Sequence, residues 1–249
     1  AHYLPKMGGG VEVNFTRFTE IYGDDPFYHW IGLDSAPMYS AHKAAGGMTS
    51  LYRQLGIGAE RLFRQVIRDQ LDLSDEQVRW SYQEVVPNAR AGKSRTKILT
   101  LDGRIEVSDI KDSEKRELVR EWIENQAVRL DISIPLSGVV FEVRQGYKSA
   151  DSKRQNADIS NATQALAQGY LPALAIMSTQ INETVYERYM LNNWVVLTGT
   201  ISPSPNSADS TFAFIDEVLD YDLVSFFERN SAAIRSEVLG ILEELLKAS

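Results

Sequence analysis

The chain has 249 residues with no cysteine, and 26 Lys+Arg against 34 Asp+Glu give a formal net charge of −8. That length suits one large or two small domains, and 43% hydrophobic with 24% charged residues excludes collagen-like, disordered and disulfide-stapled classes. Without cysteine there is no thiolate metal site, and no apolar run approaches the roughly 18 residues of a membrane helix.

Taken in chain order, residues 1–50 are rich in Gly, aromatic and turn residues. They read as irregular structure, with one helix beginning near Ser40. In 59–71 the residues Leu62, Phe63, Val66, Ile67 and Leu71 recur at helical spacing. Residues 78–86 alternate like a strand. Residues 97–108 (KILTLDGRIEVS) carry a hairpin signal, with Asp102-Gly103 as the turn. Ser113 is expected to cap a helix whose apolar face is Leu118, Val119, Trp122 and Ile123. A second hairpin over 128–147 precedes a helix over 152–168, a strand over 171–177, a helix over 182–191 and a strand over 194–201. The last 35 or so residues read as helical. This alternation predicts an α/β (α+β) fold, a central mixed β-sheet flanked by helices. We expect a single domain with a catalytic core at about 113–201, an N-terminal extension over 1–58 and a helical C-terminal region over 210–249. The loop at 203–210 is the best boundary candidate.

The second hairpin carries the chemistry. Val128, Leu130, Ile132 and Ile134 alternate with Arg129, Asp131 and Ser133; on the return, Val139, Phe141 and Val143 alternate with Glu142 and Arg144. A turn at Leu136-Ser137 places Asp131 opposite Glu142. Two carboxylates about 5 Å apart across an antiparallel pair repel unless something compensates them. Mg²⁺ does so naturally, taking one or two carboxylates and leaving positions for water and phosphate oxygens. Arg144 follows on the same face, and Lys148 would too if the strand continues.

Charge is unevenly distributed. Residues 88–97 (NARAGKSRTK) sum to +4 and 144–154 (RQGYKSADSKR) to +3, leaving −15 for the rest of the chain. The first window offers Arg90, Lys93, Arg95 and Lys97 to phosphates. The second adds Lys148, Asp151, Lys153, Arg154, Gln155 and Asn156 around a helix N-terminus, where free N–H groups favour a phosphate and Arg, Lys, Gln and Asn can fork onto base edges.

This order, an acid, a hairpin, Glu142-Val143-Arg144 and then a helix opening Lys/Arg/Gln/Asn, resembles the PD-(D/E)XK nuclease core. The KSADSKRQNAD stretch resembles type II restriction endonucleases in particular. The resemblance covers roughly 113–201, with 59–71 as a further core helix. It implies a Mg²⁺-dependent, sequence-specific double-strand DNA endonuclease, expected to be a homodimer in the prokaryotic cytoplasm with no membrane partner. It makes Asp131 and Glu142 the metal acids, with Glu60 as an additional acid. Arg144 stands in the place of the catalytic lysine, or Lys148 reaches back to fill it. Leu130 replaces the motif's proline. A rival assignment takes Asp151-Ser152-Lys153 as the acid-x-Lys unit.

Two other classes compete. A DNA-binding protein with a decayed nuclease site would bind without Mg²⁺. A glycosidase would use the same carboxylate pair but needs aromatic sugar platforms, for which only Tyr147 stands near. His2, His29 and His42 share no zinc-site spacing, and no Walker, GxGxxG or G-x-S-x-G motif occurs.

Overall fold

In the computed structural model, residues 4, 6–7, 11–87, 94–147, 152–201 and 206–246 are described. The chain divides into two compact units, residues 1–55 with 226–249, and residues 56–225. The 203–210 loop therefore falls inside the second unit rather than at a boundary.

The first unit contains the short strands β1 (Lys6–Met7) and β2 (Val11–Glu12), the helices α1 (Phe15–Gly23) and α2 (Pro26–Trp30), and the first part of α3 (Ala36–Leu71). Asn14 starts α1, its side chain accepting from the Arg17 amide at 2.9 Å. Val13, Phe18, Tyr22 and Tyr39 form a small core. Irregular structure was expected for this region; helices are found, because the aromatic residues here recur at helical spacing. The helix expected from Ser40 and that expected over 59–71 are one 36-residue helix.

The second unit holds the main sheet. The ribbon β3 (Trp80–Pro87) and β4 (Ser94–Leu101) pairs antiparallel over its whole length. β5 (Gly103–Glu106) does not fold back on β4. It pairs antiparallel with β6 (Gly138–Arg144), so Asp102-Gly103 is the corner where the chain passes from ribbon to sheet. β6 continues in parallel to β7 (Tyr170–Ile176) and β8 (Val195–Leu197), giving the order β5-β6-β7-β8. Helices α4 (Ser113–Arg129), α5 (Ser152–Ala167), α6 (Glu183–Met190), α7 (Thr211–Glu217) and α8 (Leu223–Leu246) complete the order. The expectation of a mixed sheet flanked by helices holds.

The pleat of β6 separates two cores. Phe141 meets Phe63 and Phe214 on one face, and Trp122 joins Phe214 there. On the other, Val140 packs with Leu174, Ile176, Ala162, Ala165, Tyr189 and Trp194. A Cβ on Gly138 would lie 2.1 Å from the Ile105 carbonyl oxygen, so only glycine lets β5 and β6 approach this closely.

The expected strand over 128–134 is absent. Asp112, one residue before the expected Ser113, caps α4, and the helix runs to Arg129. It closes with Asp131 at φ 54°: the Asp131 amide donates to the Val128 carbonyl at 3.2 Å and the Ile132 amide to that of Ala127 at 2.9 Å. These are the two bonds of a Schellman cap. Val128 at 82% and Ile134 at 45% are exposed, and Leu130 and Ile132 are only half-buried, so the alternating residues do not share a buried strand face.

Candidate functional site

The register of β5 on β6 begins with Gly103 opposite Phe141, and Asp102 is the bend residue just before it. Two bonds fix this corner: the Asp102 amide donates to the Phe141 carbonyl at 2.7 Å, and the Val143 amide donates to Asp102 Oδ2 at 2.8 Å. Arg64, on α3, donates from Nε to the Asp102 carbonyl oxygen at 2.8 Å. Glu60 lies one turn before Arg64 on the same helix face.

Glu142 and Arg144 share the β6 face that meets α5 and α6. Glu142 is 7% exposed. The Arg144 Nη2 makes an ion pair with Glu142 Oε1 and lies 3.5 Å from Asp158 Oδ2 on α5. Asp158 accepts at 2.5 Å from the Tyr189 hydroxyl, which lies 3.2 Å from that of Tyr147. Burial would push the Arg144 guanidinium down, but Glu142, Asp158 and Asp102 outweigh it and hold its pKa above the ordinary arginine range. Burial, then the charge of Asp158 and the bond to it, push the Tyr189 phenol far up. Three carboxyl groups thus act on one guanidinium in a largely apolar setting. The Arg144 Nε is buried with no hydrogen-bond partner. A donor left so costs about 1–3 kcal/mol.

The acids lie toward the carboxyl end of β6, the edge where α5 starts. In open α/β sheets that edge is where ligands bind. In the first turns of α5, Arg188 from α6 donates to Gln155 Oε1 at 2.8 Å and to Asn156 Oδ1 at 2.5 Å. Both amide oxygens are engaged, and Asn156 is exposed while Gln155 is buried.

Of the residues singled out from sequence, Glu142, Arg144, Gln155 and Asn156 come together here. Asp131 does not: it is exposed in the turn closing α4, and β6 pairs with β5 and β7 rather than with 128–134. The expected placement of Asp131 opposite Glu142 is corrected accordingly, and the acid found bonded to the β6 backbone is Asp102. The Asp-Gly dipeptide marked Asp102 as a turn residue, and that reading hid it. Asp158 and Tyr189 were also missed, because nothing at sequence level links α5 and α6 to β6.

Lys153 and Arg154 lie in the first turn of α5, and Arg95 and Lys97 on β4 opposite Val86 and Glu84. Arg90, Lys93, Lys148 and Asp151 lie outside the described residues. Among the described residues, no group of three or more His, Asp or Glu side chains is arranged to hold a metal ion. A Mg²⁺ site needs only one or two carboxylates with water completing the shell, and Asp102 and Glu142, both acting on Arg144, offer two such groups. No helix among the described residues is long and apolar enough to cross a membrane. Comparison with family models, with curated proteins and with solved structures returns no match.

Proposed function

We propose that the chain is a Mg²⁺-dependent, sequence-specific double-strand DNA endonuclease of restriction type, built on a PD-(D/E)XK-like core. One observation carries this reading: Asp102, just before β5, accepts from the Val143 amide, so it lies beside the Glu142-Val143-Arg144 segment in which Arg144 pairs with Glu142. An acid entering one strand beside an acid-x-base unit on its neighbour is the arrangement that the sequence suggested, with Asp102 in place of Asp131.

When bound, Mg²⁺ would polarise the scissile phosphate and lower the pKa of the attacking water. Asp102 and Glu142 would hold it, with Glu60, one helical turn before Arg64, as the additional acid. Arg144 cannot act as a base, because its pKa is held high. It supplies instead a permanent positive charge beside the acids, able to steady negative phosphate oxygens as water attacks in line.

The basic windows supply the grip. The β3–β4 ribbon is anchored by Trp80, Tyr82 and Leu101 in the core, and its other end is the Pro87–Ser94 pair, with Arg95 and Lys97 following on β4. A ribbon of this kind can enter a major groove. The first turn of α5 brings Lys153 and Arg154, with Gln155 and Asn156 oriented by Arg188, to the same sheet edge as the acids. A homodimer in the cytoplasm matches cutting both strands of a symmetric site.

The competing reading is DNA binding without cleavage. Its support is the ion pair of Arg144 with Glu142, which is how a site that never takes metal would neutralise its acid. Incubating plasmid DNA with the protein and Mg²⁺ separates the two: the nuclease yields discrete fragments, and a binding protein shifts the DNA without nicking it.

A further inference from the structure

Resting on the metal-site reading above, one relationship goes further. A guanidinium on Glu142 competes directly with a divalent cation for the same oxygen, and two cations a few ångströms apart repel strongly where water is scarce. For Glu142 to accept metal, Arg144 needs another place to go.

The structure provides one. The same Nη2 that contacts Glu142 already lies 3.5 Å from Asp158 Oδ2. Asp158 is 4% exposed and belongs to α5 rather than to the sheet. Its carboxylate is held by the Tyr189 hydroxyl, with that of Tyr147 behind it. The Arg144 Nε has no hydrogen-bond partner in its present position, so the pose on Glu142 leaves donor capacity unused. Turning about the Arg144 side-chain torsions would shift the guanidinium from Glu142 toward Asp158.

We propose that Asp158 is the alternative seat of the Arg144 guanidinium, a positioning residue that draws the cation off Glu142 and so opens the Asp102–Glu142 pair to a divalent metal. Asp158 acts on the metal only through Arg144. Tyr189 in turn keeps Asp158 in place.

The test is Mn²⁺ binding to the full chain without DNA, measured by titration calorimetry as a double-mutant cycle. Asp158→Asn should weaken Mn²⁺ binding by about tenfold or more, the size typical of losing an outer partner. Arg144→Gln should tighten it, and Arg144→Gln with Asp158→Asn together should match Arg144→Gln alone. Tyr189→Phe, which removes only one hydroxyl, should weaken binding in the wild-type background and have no effect beside Arg144→Gln; it carries the test if Asp158→Asn does not fold. Weakening by Asp158→Asn that persists in the Arg144→Gln background would make Asp158 a metal ligand and overturn the proposal. Unchanged binding in both backgrounds would also overturn it. Absence of Mn²⁺ uptake by the wild type removes the metal site and this inference with it. Uptake with the expected cycle but uncut DNA leaves the inference standing and removes only the nuclease.

Discussion

Asp102, at the corner where the chain leaves the ribbon for β5, accepts at 2.8 Å from the amide of Val143, the residue next to Glu142. The backbone of the strand that carries one acid thus orients the other. This mutual fixation keeps two like charges close, and the buried guanidinium of Arg144 is what makes it tolerable in the absence of metal.

Arg144→Gln should therefore be costly. Removing one partner of a buried ion pair typically costs about 3–5 kcal/mol, because the remaining charges stay buried without compensation. Urea unfolding in EDTA should show a loss of that order, and added Mn²⁺ should recover a large part of it by mass action. A loss below about 0.5 kcal/mol would place Arg144 in a solvated setting.

Asp131→Gly separates the two candidate acids. Asp131 occupies a left-handed position, φ 54°, at the end of α4. Glycine is the preferred residue there, so the substitution should raise stability by about 0.5–1 kcal/mol and leave cleavage intact. Thermal unfolding and plasmid cleavage on the same preparation check both halves.

Tyr189 sets an alkaline limit. Burial, the charge of Asp158 and the hydrogen bond to it raise its phenol in the folded state. An unfolded tyrosine loses its proton near pH 10. Its contribution is full below about pH 10 and is lost as pH rises through the higher folded value. Unfolding free energy should therefore fall between about pH 10 and 11, and by less in Tyr189→Phe.

Gly138→Ala tests the frame that holds the pair. The new Cβ would meet the Ile105 carbonyl oxygen at 2.1 Å, a backbone atom that cannot step aside without shifting β5. A cost of at least about 1–3 kcal/mol follows from overpacking, and cleavage should drop with it because Asp102 moves relative to Glu142.

Much of this was legible in the chain. The alternation of Val139, Phe141 and Val143 against Glu142 and Arg144 marked β6, and the polar opening of residues 152–156 marked the start of α5. Two signals misled for physical reasons. The alternation of Val128, Leu130, Ile132 and Ile134 has a period of two, but its first residue belongs to α4, and the Schellman turn at Asp131 ends any extended run. Asp102-Gly103 has the chemistry of a two-residue hairpin turn, yet strand pairing is decided by tertiary partners. β4 finds β3, leaving β5 for β6. The contact of Asp158 with Arg144 joins residues on different elements and has no local signature at all.

The central claim is that Asp102 and Glu142 form a metal-dependent cleavage site. Incubating plasmid DNA with wild type and with Asp102→Asn, each with Mg²⁺ and with EDTA, tests it directly. We predict discrete fragments from the wild type in Mg²⁺ alone, and none from Asp102→Asn although it still binds DNA. Full cleavage by Asp102→Asn, or none by the wild type, would contradict the claim.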